Sequence, residues 1–289
     1  MEWHEIHDPA SAELDQLAAR YGLHPLHIED CRHRDQRAKI EEGQGYLFTV
    51  LKPVRVDEEE NFSSVDLDVF LGTDFVITVA ETDCPEVRAL MGRVHQALAN
   101  ETRSDRVFHR IVDELVDSYL PLLDRLNDTI DQLEDLALES PTPDVLSTIF
   151  ATKRTLIFLR GVLVNTRDVA AHLQRIEAPW ISRDMMPFFR DVYDHVARNL
   201  DMVEIMRDLL AGTLDVYLSS VANRTNQVMK VLTVLGTIAL PALVISGFYG
   251  MNVKGLPAAD SPYGVALVLG GMALTTAVLL WVLKRLGWL

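Results

Sequence analysis

Three groups of residues in this 289-residue chain have types and spacings that could do chemistry. The first is a neutral row, taken in steps of three or four: Asn226, Met229, Leu232 or Thr233, Gly236, Leu240, Leu243 and Gly247, with Gly250, Met251 and Asn252 beyond it. None of these carries a charge. Amide and backbone oxygens can hydrogen-bond to the water around a cation without stripping that water away, which suits a small ion that dehydrates reluctantly. A ring of carboxylates would instead bind a divalent ion too well to release it. The opposite face, Val231, Val234, Leu235, Ile238, Ala242 and Ile245, is more uniformly aliphatic. Small residues also let membrane helices pack closely. Periodicity alone therefore leaves two readings of the row open, a packing seam and the wall of an aqueous path.

The second group is acidic. Asp113, Asp117, Asp124, Asp128, Asp131, Glu134 and Asp135 crowd one helical stretch. Like charges at (i, i+4) repel mildly without counter-ions, and most of this face reads as solvated. The third group, His24, His27, Asp30 and His33, has three-residue spacings. Only some of the four could share a helical face, and no cysteine pair completes a tetrahedral zinc set, so a structural reading is preferred. No nucleophile–base motif, phosphate loop or HExxH pattern occurs. A membrane-tethered metalloenzyme using these histidines is a remote alternative, and the chain is expected not to be an enzyme.

The elements that must position these groups follow from hydropathy and charge. Residues 231–248 and 265–283 are free of charge, 18 and 19 residues long. At 1.5 Å per residue each covers roughly 27–28 Å, close to a hydrocarbon core. Setting aside Lys254, Lys284, Arg285 and Asp260 from the 27 basic and 42 acidic residues leaves 24 and 41 in residues 1–230, a net charge of −17. Such a body would repel nucleic acid. Two cysteines fit a reducing cytosol, and the polar, acidic first 15 residues are not a signal-peptide pattern. Arg224, Lys230, Lys284 and Arg285 flank the two spans, against Lys254 alone between them. Positive-inside counting places both termini in the cytoplasm and the connecting loop outside.

The expected fold is α+β. An α/β/α domain spans 1–104, with strands around 46–51, 65–71 and 75–79 and helices near 11–20 and 85–99. A helical hairpin spans 105–186, its arms at 105–139 and 144–176. A stalk helix follows over 187–230, 44 residues with no proline after Pro187. The membrane hairpin is 231–289, with an outer loop at 253–262. Alternation of apolar and acidic residues over 65–71 predicts a half-buried strand.

Tyr249-Gly-Met-Asn252 closing the first of two C-terminal spans resembles the signature of the CorA family of divalent-cation channels. Asn223-Arg-Thr-Asn-Gln-Val-Met-Lys-Val-Leu-Thr233, Pro241, Pro187-Phe-Phe-Arg-Asp-Val-Tyr-Asp-His195, Leu214-Asp-Val-Tyr-Leu-Ser-Ser220 and the terminal Lys284-Arg-Leu-Gly-Trp-Leu289 are similar to that family too. The resemblance implies a funnel-shaped homopentamer in the inner membrane of a prokaryote, admitting Mg²⁺, and also Co²⁺ and Ni²⁺, passively. It implies that Gly250, Met251 and Asn252 form the selectivity filter and that Asn226, Met229, Leu232, Thr233, Gly236, Leu240, Leu243 and Gly247 line the pore. Met229 and Leu240 could then close it by dewetting. It further implies a regulatory Mg²⁺ held by Asp191 with Glu81 or Asp83 of a neighbouring subunit, and no organic cofactor. The loop Val253-Lys-Gly-Leu-Pro257 departs from the commonest Mg²⁺-channel pattern and is similar to the ZntB-like branch. A proton-coupled Zn²⁺ transporter is therefore the alternative.

Overall fold

The computed structural model describes residues 1–33, 36–57, 61–81, 84–98, 101–251, 256–257 and 261–288. The chain forms two compact units, Met1–Val216 and Tyr217–Leu289.

The first unit is built on a five-stranded sheet. In chain order its strands are β1 (Glu2–Ile6), β2 (Lys39–Glu42), β3 (Tyr46–Leu51), β6 (Leu67–Gly72) and β7 (Phe75–Ala80), while β4 (Val54–Val56) and β5 (Phe62–Ser64) make a separate hairpin. The spatial order is β1-β7-β6-β3-β2, with β1 parallel to β7 and the other pairs antiparallel. Every residue of β3, β6 and β7 is buried. That requires cover on both faces. Helices α1 (Ala12–Tyr21) and α2 (Pro25–Arg32) supply it on one side, placing Leu14, Leu17, Ile28 and Cys31 against Phe48, Val50, Phe70, Ile77 and Val79. Helices α3 (Pro85–Ala97) and α4 (Ser104–Asp117) are the other layer. The α/β/α arrangement is as expected.

Two expectations are corrected. The stretch 65–71 is not half-buried, because its strand lies in the middle of the sheet and Asp68 points into the α1–α2 core, 2% exposed. Burial pushes its carboxyl up to about 7, with Asp66 adding to the effect. The stretch 105–139 is two helices, α4 and α5 (Leu120–Glu139), because Pro121 cannot donate an N–H and its ring clashes with the carbonyl four residues back, that of Asp117, where α4 ends.

Helix α6 (Pro143–Leu173) opens on a proline in its first turn. A short 3₁₀ turn, Arg183–Met185, leads into α7 (Met186–Tyr249), 64 residues without interruption. Two contacts fix its start. Arg103 bridges Asp105 and Asp184, and Asp105 also accepts from Ser182 N–H and Oγ at 3.1 and 2.7 Å. Burial would raise the Asp105 carboxyl, but these bonds hold it down to about 2. Phe189 lies 6.1 Å from Phe108 between ring centroids, and Asn199 Nδ2 donates to the Val116 carbonyl at 3.4 Å. Helix α8 (Gly264–Arg285) completes the second unit.

Candidate functional site

In the second unit the two faces of α7 separate in part. Asn226, Met229, Leu232, Thr233, Gly236, Leu240, Leu243 and Gly247 are all exposed; of the aliphatic face Val234, Ile238, Ala242 and Ile245 are half-buried, but Val231 and Leu235 are exposed like the row. Helix α8 has a matching covered stripe at Gly264, Val268, Met272, Thr276, Leu279 and Leu283. At the C-terminal end of α8, Lys230 Nζ donates to the Gly287 carbonyl at 3.3 Å. Gly287 takes a positive φ of 73°, and Trp288 N–H reaches back to the Leu283 carbonyl, a left-handed C-terminal cap. The aliphatic stripe is thus partly covered, at Val234, Ile238, Ala242 and Ile245, and the mixed, neutral row is exposed throughout.

The row's hydroxyl is oriented by its own helix. Thr233 Oγ1 donates to the Met229 carbonyl at 2.8 Å, and Thr237 Oγ1 donates to the Thr233 carbonyl at 2.8 Å. Their protons are committed inward, so their lone pairs remain as acceptors. Pro241 stands inside α7 and takes no part as a donor, which leaves the Thr237 carbonyl without its usual helical partner. The φ of Gly250 is not positive; its N–H bonds the Ser246 carbonyl at 2.9 Å, and a Cβ would stand 3.1 Å from that same oxygen. A larger residue there meets a close approach rather than a strained handedness. Asn252, Lys254 and Asp260 lie outside the described residues.

Asp191 occupies α7 in the first unit with a side chain 68% exposed, 3.8 Å from His195 Nε2. The other ring nitrogen of His195 lies 4.0 Å from Asp117. Among the described residues, Asp113, Asp117 and His195 bring one ligand atom each within 4.8 Å of one another, close enough to hold a metal ion. Burial and the neighbouring Asp113 carboxylate push Asp117 up, with His195 and Arg110, which pairs with Asp113 at 3.1 Å, acting in the opposite direction. Burial pulls the nearby His109 down. The sequence reading passed over this group because it treated the acidic helix as solvated. The available signal was the (i, i+4) pair Asp113 and Asp117 combined with the motif histidine His195. Glu81, at the end of β7, does not join Asp191 or this group within one chain. Asp83 lies outside the described residues.

The histidine cluster is structural. His24 caps α2 by accepting from Leu26 N–H at 3.2 Å. His27 is buried, stacked on Phe48, and joined to Tyr46 Oη at 2.8 Å and Glu41 at 3.0 Å. Asp30 pairs with Lys39 at 2.7 Å. Their side chains serve three different contacts, not one ion.

A spanning-length helix with an open neutral face, paired with a second such helix and carried by an acidic α/β/α body, defines an integral membrane transport protein. The family profile described as "CorA-like Mg2+ transporter protein" matches residues 1–285, and the chain belongs to this family. It is 36% identical over 279 residues to the cobalt/magnesium transport protein CorA of Thermotoga maritima, covering 96% of this chain and 80% of that one. The solved CorA magnesium transporter of Methanocaldococcus jannaschii superposes with a TM-score of 0.85 at 26% identity, covering 99% and 91% of the two chains. The zinc transport protein ZntB of Pectobacterium carotovorum is 27% identical over 189 residues, 62% of this chain and 54% of that protein.

Proposed function

We propose that this chain is a divalent-cation channel of the plasma membrane of a prokaryote, admitting chiefly Mg²⁺, with Co²⁺ and Ni²⁺, down the electrochemical gradient. One spanning helix with one open face cannot enclose an aqueous path, so several copies must surround it; a homopentamer is the assembly proposed. The observation that carries the reading is the open row on α7, which is polar at intervals, flexible at its glycines and free of carboxylates. An ion that keeps its first water shell can pass between such acceptors without being trapped.

In this reading the Asn252 amides receive the hydrated ion at the outer mouth, with Gly250 and Met251 completing the filter. The ion then meets the Leu243, Leu240 and Gly236 levels, the Thr233 hydroxyls, and the Met229 and Asn226 rings at the inner end. The Met229 and Leu240 rings close the path by dewetting when the subunits draw together. Asp191 senses cytosolic Mg²⁺ with Glu81 or Asp83 of the next subunit: a bound ion neutralises facing carboxylates and holds the subunits closed, and its loss lets them repel. The exposure of Asp191 and its place beside the Asp113–Asp117–His195 group support a cation there. Both termini lie in the cytoplasm, as positive-inside counting requires.

A second reading, proton-coupled Zn²⁺ transport, rests on the loop sequence Val253-Lys-Gly-Leu-Pro257 and on the shorter ZntB match. Uptake of Mg²⁺ and Zn²⁺ into proteoliposomes, with and without a pH gradient, decides between them. Mg²⁺ flux that follows the ion gradient and ignores pH supports the channel. Zn²⁺ flux that requires the proton gradient overturns it.

A further inference from the structure

The loop between α6 and α7 carries an anomaly of charge. An open cleft of about 830 Å³ lies there, lined by Arg175, Arg183 and Arg190 together with Ile176, Pro179, Ile181 and Met186; Glu177 is the acid among its lining residues. This is a basic site in a chain of net charge −15. Several other arginines of the first unit are answered, Arg93 and Arg110 by Glu114, Arg103 by Asp105 and Asp184, Arg160 by Glu204, while Arg37, Arg154 and Arg198 stand singly among the described residues. Arg175, Arg183 and Arg190 have no ion pair or side-chain hydrogen bond among the described residues.

Each has an ordinary explanation to be weighed. Arg175 follows the C-terminal end of α6, where a positive charge is favoured by the helix dipole. Arg183 has no such reason, because it precedes the N-terminal end of α7, the end that favours anions. Arg190, one turn further on from Met186, stands on the same side of α7 as that lining residue. Three guanidiniums around one opening would repel one another unless something negative stood between them, and guanidinium is the side chain best matched to phosphate oxygens. The floor is different in kind. Ile176 and Ile181 are buried at 6% and 5% exposure, and Trp180, between two lining residues, keeps its indole N–H buried without an acceptor. The cleft therefore offers both guanidinium charge and some apolar lining, at a volume within the range of small-molecule sites.

We infer that the α6–α7 cleft binds a small organic polyphosphate of the nucleoside triphosphate class, the phosphates on Arg175, Arg183 and Arg190 and the base on the Ile176–Pro179–Ile181 floor. The lining includes no residue of the row on α7 and not Asp191 itself, though Arg190 precedes Asp191 in the chain, so this site does not rest on the channel reading. Because Met186 and Arg190 belong to α7, the ligand would sit at the root of that helix.

The test uses the full-length chain in lipid nanodiscs without divalent cations, titrated calorimetrically with ATP and with tripolyphosphate. ATP should bind with an affinity that falls as salt rises, since exposed charges are screened. Tripolyphosphate, which lacks the base, should bind several-fold more weakly. The double variant Arg183→Gln/Arg190→Gln should lose about tenfold or more in ATP affinity, while Arg154→Gln, an exposed arginine of α6 remote in sequence from the cleft, should lose less than about twofold. A charge-keeping pair, Arg183→Lys/Arg190→Lys, should retain part of the binding, which separates loss of contact from loss of fold. Absence of ATP binding to the wild-type chain overturns the site. So does an equal loss in the Arg154 variant, which would mean diffuse attraction, and equal binding of ATP and tripolyphosphate overturns the assignment of the floor.

Discussion

The core of the first unit and the open row of the second both place polar atoms among apolar ones, and they treat them in opposite ways. In the sheet domain, His27, Tyr46, His24 and Glu41 close a circuit in which each polar atom meets another. On α7 Asn226 and Thr233 are exposed, and the Thr233 hydroxyl meets only the Met229 carbonyl of its own helix. Buried polar groups stabilise a fold when they are satisfied inside it. Polar groups left open on a membrane helix cost free energy unless water or another chain reaches them. The contrast is the one the proposed channel requires, in which the row meets water between copies of the chain.

The sharpest break of this comparison is at the mouth. Asn252→Ala should reduce Mg²⁺ flux in proteoliposomes to background while the oligomer stays assembled by size-exclusion chromatography. Wild-type flux from an intact assembly would remove the amide from its proposed role.

Next in size is the core exception, Asp68. Its carboxyl titrates near 7 in the folded chain against an ordinary 3.8, because burial disfavours the charge. The folded state thus binds the proton more tightly than the unfolded one, and this group's contribution to stability is fully present below about pH 4 and is lost as pH rises to about 7, by a few kcal/mol in all. Asp68→Asn should flatten this dependence and stabilise the sheet at pH 8. Hydrogen exchange of the β3 and β6 amides at pH 5 and pH 8 measures it. Identical pH dependence in the variant would place the titration elsewhere.

Smaller is the effect expected at the sensor. Asp191→Asn should raise by several-fold the Mg²⁺ concentration that protects the chain from limited proteolysis, through loss of one carboxylate at the ion. An unmoved midpoint would leave Asp191 a solvated residue like its neighbours. The least effect is at the loop. Lys254→Glu should raise Mg²⁺ uptake most at low ionic strength and hardly at all in high salt. A change in Zn²⁺ over Mg²⁺ preference that persisted in high salt would turn the comparison toward the zinc reading.

Much of this was legible in the residues. The aromatic and β-branched run Tyr46–Leu51 and the uninterrupted stretch after Pro187 determine a strand and a helix locally, and both formed as read. The two faces of α7 were legible only in part: helical period and hydropathy match the half-buried Val234, Ile238, Ala242 and Ile245, but not the exposed Val231 and Leu235. Other features depend on neighbours that sequence does not name. Asp68 looked like the polar side of a half-buried strand, and only the sheet order puts that strand between β3 and β7. The short β1 and β2, and the helix α2, form by docking on that sheet rather than by any strong pattern of their own. Pro121 was legible and outweighed by the helical period around it. The Asp113–Asp117–His195 group needed α4 and α7 to be brought side by side.

One feature of α7 bears on the sign of charge that could pass. Between Met229 and Gly247 the exposed row offers lone pairs and no available proton: Thr233 gives its hydrogen to the Met229 carbonyl, and the glycines present only backbone. Beside it, the Thr237 carbonyl freed by Pro241 is another acceptor. Water around a cation points its hydrogens outward and finds acceptors there. Water around chloride points its hydrogens inward, and neither that shell nor the bare anion finds a donor along this stretch. An acceptor-only wall can therefore reject anions by the polarity of its hydrogen bonds, without a single formal charge.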